Sequence, residues 1–138
     1  MLKKLLDSTK PLASTDLAML ILRIGLALLM IPHGHDKFKT LWDGGGGDFP
    51  DPLHVSPKFS LFLTVFAEFI CSILLAVGLF SRFALIFLMG CMFIIAFSIH
   101  GSDPLGDKEH ALLYFVGYIV IFLIGVGKYS LDNRYFKK

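Results

Sequence analysis

Apolar residues run along this chain in long, nearly unbroken blocks, without the alternation of a half-buried strand or the one-sided stripe of a surface helix. The blocks cover residues 17–31, 61–80, 83–99 and 111–126. A helix needs about 20 such residues to cross a bilayer. Backbone in lipid must also satisfy its own hydrogen bonds, which a helix does. The pattern therefore predicts an all-α integral membrane protein. Its architecture would be an antiparallel bundle of four transmembrane helices in one domain, residues 1–138. The first block is short for a span, so its flanks must compensate by snorkelling or local thinning of the bilayer.

Between the blocks the breaks are legible. Ser14, Thr15 and Asp16 are residue types that cap a helix start, and Pro32 is expected to close the first helix. Residues 33–60 then form a loop on the outer side. They hold four glycines at 44–47 together with Pro50, Pro52 and Pro57, which do not propagate a helix. Only Ser81 and Arg82 separate the second and third blocks, which forces a tight helical hairpin. A polar turn, 101–110, precedes the fourth block, and the amphiphilic tail 127–138 lies along the membrane surface.

Composition adds the solvent. In 138 residues, 55% are hydrophobic and the mean hydropathy is +0.70. A soluble body of this size has too much surface to cover with so few polar residues. Lipid is the partner this implies. The formal charge of +2 and the lack of a basic stripe speak against nucleic acid. Residues 1–10 are basic and precede an apolar run, as in a secretory signal, but no small-x-small cleavage site follows, so the run is read as an uncleaved first span. Orientation follows from Lys and Arg. With the N-terminus inside, Lys3, Lys4, Lys10, Arg82, Lys128, Arg134, Lys137 and Lys138 face the cytoplasm, and Lys37, Lys39, Lys58 and Lys108 lie outside. Both termini are then cytoplasmic by the positive-inside rule.

Two ionisable residues interrupt the apolar blocks, Arg23 and Glu68. Counted at about 1.5 Å per residue, they lie roughly 15 and 12 Å from the outer ends of their helices. A lone charge at that depth costs at least about 2.5–3.5 kcal/mol, so the two are expected to form a buried charge pair. That pair could be a lock between helices or part of a polar, proton-linked site. His33, His35, His54, His100 and His110 all fall on the outer side. His33, His35, His100 and His110, with Lys37, form a candidate set for ligand binding or proton handling. Imidazoles there could hold a metal, a haem or a quinone head group, or could simply tolerate the wet boundary. No HxxH or HExxH spacing is present, and no metal is assigned. Cys71 and Cys91 lie symmetrically about the hairpin turn near Met89 and Met92. A soft copper site is conceivable there, with packing the plainer reading. Gly78, Gly90, Gly117, Gly125 and Gly127 are read as points of close helix approach.

In order along the chain stand Leu22-Arg23-Ile24-Gly25, His33-Gly34-x-x-Lys37-Phe38, Phe66-Ala67-Glu68, the run Leu75-Ala76-Val77-Gly78-Leu79-Phe80-Ser81-Arg82-Phe83-Ala84, Glu109-x-Ala111-Leu112-Leu113-Tyr114, and Gly125-Val126-Gly127-Lys128-Tyr129-Ser130-Leu131-Asp132. These motifs resemble the DoxX family of small bacterial membrane proteins over nearly the whole chain. The resemblance implies a four-helix, multi-pass protein of the bacterial inner (plasma) membrane. Its signature positions here are Arg23, His33, Lys37, Glu68, Ser130 and Asp132. It further implies an association with quinone-linked oxidoreductases. The sequence has no flavin, dinucleotide or iron–sulfur motif, so a redox subunit of this kind needs a protein partner to supply electrons. Two other readings stay open: a non-catalytic membrane scaffold or binding protein, and a small-solute transporter acting as a homo-oligomer.

Overall fold

The computed structural model describes residues 6, 7, 9 and 11–137. Lys3, Lys4, Lys10 and Lys138, half of the inner-face cations in the orientation argument, lie outside the described residues. The fold is all-helical. Helix α1 is Thr15–Trp42. Helix α2 is Pro57–Val77 and contains a π-helical segment at Phe66–Cys71. Helix α3 is Ser81–Ile94 and ends in a second π segment, Ile95–Ile99. Helix α4 is Leu105–Ile124, and a short α5, Leu131–Phe136, closes the chain. Helices α1, α2 and α3 are long and apolar enough to cross a membrane, which makes this a membrane protein in contact with lipid. Large apolar side chains such as Ile21, Leu29, Leu113 and Leu123 stand on the outside of the bundle.

Helix α1 departs most from the sequence reading. Pro32 does not end it; the helix continues for ten residues beyond, to Trp42. A proline removes one backbone donor and crowds the preceding turn, a cost that membrane helices tolerate when neighbours support the break. That support comes from α2. Met19, Arg23, Ala27, Met30 and Gly34 recur every three or four residues and are buried in one stripe that runs straight past Pro32. The loop between α1 and α2 therefore covers 43–56 instead of 33–60. The start of α1 follows expectation, with Ser14 Oγ accepting from the Leu17 amide at 3.3 Å.

Helices α3 and α4 pack along each other, and α1 lies against α2 and α4. The core they share holds Met19, Met30, Cys71, Leu75, Leu85, Leu88, Met92, Tyr118 and Ile121. The hairpin between α2 and α3 turns at 78–80. Ser81 and Arg82, expected as the turn, already belong to α3. Gly78 adopts φ +70°, a left-handed conformation that suits glycine at a helix end.

Asp51 organises the loop ahead of α2. Its carboxylate accepts from the Ser60 hydroxyl at 2.6 Å and from the Val55 and Ser56 amides at 3.1 and 2.9 Å. The Ser60 hydroxyl is the main reason its carboxyl is held below the usual carboxylate range, with the two backbone amides helping. A carboxyl depressed on folding stabilises the fold above its unfolded pKa and loses that contribution as pH falls through its folded value. Protection of the Val55 and Ser56 amides against exchange, relative to their intrinsic rates, should therefore fall below about pH 4. In D51A it should be low at every pH.

Candidate functional site

Arg23 and Glu68 are both buried, at 1% and 2% exposure, but they do not pair. Each has its own partners at opposite ends of the bundle. The expectation placed them at equal depth by ending α1 at residue 31. With α1 at its observed length, Glu68 packs against Gly34 and meets the Lys37 side chain, roughly 16 Å along the helix from Arg23 at about 1.5 Å per residue.

At one end, Arg23 binds the returning tail. Its Nη2 donates to the Tyr129 carbonyl at 2.7 Å and its Nη1 to the Val126 carbonyl at 3.4 Å. Gly78 packs onto this guanidinium so closely that an added Cβ would overlap it and meet Ser130 Cβ at 2.5 Å. The Asp132 amide donates to the Gly78 carbonyl at 2.7 Å. The Asp132 carboxylate in turn accepts from the Phe80 and Ser81 amides at 2.7 and 2.9 Å. It thereby caps α3, whose own N-terminus offers no side-chain cap. Ser130 Oγ donates to the Gly127 carbonyl and accepts from the Asn133 amide, capping α5. Arg23, Gly78, Ser130 and Asp132 thus form a clamp that ties the hairpin turn to the tail. Arg23 Nε is buried without a hydrogen-bond partner among the described residues, while both Nη atoms are engaged.

The other end is built differently. Glu68 lies in the π segment of α2, where the wider turn brings its backbone against α1. Gly34 makes the approach feasible: a Cβ there would stand 2.5 Å from the Phe69 nitrogen and 2.6 Å from the Glu68 carbonyl carbon. A G34A substitution should push α1 off this segment and cost about 1–3 kcal/mol, as overpacking does, read as a drop in thermal stability in detergent. Lys37 Nζ reaches Glu68 Oε2 at 2.5 Å, and the Cys91 thiol donates to Oε1 at 3.9 Å. Lys37 is about one-third exposed and Glu68 nearly sealed.

A cavity of about 210 Å³ opens above this ion pair. His33, His100, His110 and Asp107 line it together with Lys37, Glu68 and the apolar Met30, Met92 and Ile95. The rings of His33 and His110 meet edge-on with centroids 5.4 Å apart, and His110 is 5.1 Å from Tyr114. His100 Nδ1 lies 2.8 Å from Asp103 Oδ2. Three of the expected histidines therefore share one site with Lys37. His35 does not: it sits beside Phe69 and Asp36, outside the cavity. His54 lies in the loop with φ 54°. Among the described residues no three His, Cys, Asp or Glu side chains converge as a metal cluster. Asp107 was not anticipated as a lining residue, nor Lys37 as the partner of Glu68. The signal for the latter was the spacing of Met30, Gly34 and Lys37, which continues the buried stripe of α1 once the helix is carried through Pro32.

Much of the site so described lies within the part of the chain that a known family shares. The DoxX family model matches residues 18–101. That range holds Arg23, His33, Lys37, Glu68 and His100, and stops before His110 and the tail. An uncharacterized protein of Haemophilus influenzae is 34% identical over 127 residues, which cover 85% of this chain and 90% of the relative. No solved structure matches. The family match covers more than half of the chain and takes in the motifs from Arg23 to Ala84, and the chain belongs to the DoxX family.

Proposed function

We propose that this chain is the quinone-linked membrane subunit of a redox complex in the bacterial inner membrane, and that it works with an electron-supplying protein partner. In this reading α4 is a fourth span. Its first turns carry Asp107, Lys108 and Glu109 to the outer surface, and its apolar stretch continues to Ile124. Four spans return both termini to one face, where Lys128, Arg134 and Lys137 accord with the cytoplasm.

The observation that carries the function is a buried carboxylate, Glu68, paired with the half-buried Lys37 ammonium in a cavity that imidazoles also line. Such intramembrane charges are costly and are found where ions, protons or polar ligands are handled. The donor set suits a quinone head group. Lys37, His33 and His110 can donate hydrogen bonds to carbonyl oxygens, and Met30, Met92 and Ile95 offer apolar contact to a ring. The cavity is smaller than the roughly 300–1,000 Å³ that encloses drug-sized ligands, so it selects for a single-ring group. When bound, a quinone supplies the two-electron, two-proton carrier chemistry of the complex. The chain's own part is to bind, orient and exchange protons. Glu68 Oε2 holds or releases a proton against Lys37, and the imidazoles connect that carboxylate to the outer surface.

Titration of the protein in nanodiscs with a tail-less single-ring quinone tests the reading. Wild type should bind one equivalent. H33A and H110A should each weaken binding about two- to tenfold, the effect of losing one hydrogen bond of about 0.5–1.5 kcal/mol. Absence of saturable binding to wild type would sink the proposal and leave the scaffold reading.

A further inference from the structure

A second hollow, of about 220 Å³, lies on the outside of the α2–α3 pair. Its walls are almost wholly apolar and include Leu63, Ala67, Phe87, Gly90, Cys91 and Ile94. Both helices are apolar enough to lie in lipid, and Pro52 and Leu53 of the 43–56 loop also line the hollow, so its helical side is open to the bilayer. Gly90 is its floor. Gly34 and Gly117 are pressed against neighbouring helices, but a Cβ on Gly90 would meet nothing within 4 Å. A glycine in a helix interior is destabilising by about 1 kcal/mol against alanine, and close helix packing does not account for this one. What it leaves is space.

The hollow and the outer cavity share a wall. Ile95 lines both. Cys91 lines the hollow, while its thiol reaches Glu68 on the cavity floor at 3.9 Å. From Ile86 to Ile99 the hollow follows α3 for roughly 20 Å at about 1.5 Å per residue. It is thus a long apolar groove on a lipid-facing surface that runs beside a polar, ring-sized site, with Cys91 and Ile95 in the wall between them.

We propose that the Gly90 groove holds the hydrocarbon tail of the molecule whose head group occupies the outer cavity. The ligand is then an amphipathic quinone that enters sideways from the bilayer between α2 and α3. This rests on the function proposed above and specifies its substrate class as tailed, lipid-borne quinones. Lipid is as apolar as the groove, so the tail gains little from leaving it. The groove acts by shape, steering the tail and admitting it beside the head-group site. A side chain at Gly90 should exclude the tail and leave the cavity intact.

The test compares two quinones with the same head group, one without a tail and one with a long isoprenoid tail, in nanodiscs of fixed lipid composition. Wild type, G90A, G90L and G90F are titrated with each, and their melting temperatures are measured alongside. The tailed quinone should bind tenfold or more weakly to G90F, with a graded loss through G90L and least in G90A. The tail-less quinone should bind all four within about twofold. The graded series keeps the test valid if the largest side chain disturbs folding. Equal affinity of the tailed quinone across the series would overturn the groove assignment while leaving the head-group site standing. So would parallel weakening of both quinones. Failure of both to bind wild type overturns the proposed function, and the groove assignment with it.

Discussion

Replacing Lys37 by methionine should destabilise the protein by about 3–5 kcal/mol, the range for removing one partner of a buried ion pair. The reciprocal change, E68L, should cost clearly less. The asymmetry comes from burial. Lys37 is about one-third exposed near the outer end of α1 and can swing its ammonium to water, as long cationic side chains do. Glu68 is 2% exposed on a short side chain, so K37M strands its charge against Cys91 and the α1 backbone. The double variant K37M/E68L removes both charges and should recover most of the loss, because a buried pair replaced by apolar groups is often neutral or better. Reversible unfolding of the four proteins in one detergent gives the coupling directly. Additive losses in the double variant would show that the pair contributes nothing as a pair.

The R23M substitution should have the second largest effect, about 1.5–4.5 kcal/mol. The carbonyls of half-buried Val126 and exposed Tyr129 lose their donor; an unsatisfied group costs about 1–3 kcal/mol, and a lost bond whose acceptor can turn to water about 0.5–1.5 kcal/mol. The loss should be local in its first consequence. The tail bearing Ser130 and Asp132 should detach from the hairpin turn, exposing the chain around Tyr129 to added protease before the bundle melts. R23K should rescue little. The two carbonyls are met by two separate nitrogens of one planar fork, which a single ammonium does not reproduce. An R23M protein whose tail stays as protected as wild type would show that the Asp132 contacts alone hold it.

Hydropathy made the helical, membrane-embedded architecture legible, because block length and the lack of charge are properties of composition. The ends of the blocks were less legible. Pro32 and the glycines at 44–47 look alike as breakers, yet only the glycines end α1, since the decision at Pro32 belongs to the packing of Met30 and Gly34 on α2. The same misplaced end paired Arg23 with Glu68. Burial of both was readable from the rarity of charges in apolar runs; the partners were not, because depth along a helix depends on where the helix stops. His33, His100 and His110 come together as helix-end residues on one side of the membrane can. His35 does not, since two residues along a continuing helix point its side chain about 200° away. No pattern in the sequence marks the π segment at Phe66–Cys71, which brings Glu68 to the site.

That segment also makes α2 a helix with two separately adjustable halves. A π turn amounts to one residue inserted into an α-helix. The C-terminal half, from Ser72, keeps its phase with the Arg23 clamp, while the N-terminal half, Pro57–Val65, keeps its phase with α1 and the loop. A single-codon deletion between them would restore a regular helix and rotate one half by about 100° against the other. Glu68 and the hairpin turn could not then both meet their partners. In evolutionary terms, this short stretch should tolerate changes of side chain far more readily than changes of length, unlike the 43–56 loop, where insertion leaves the register of both helices untouched.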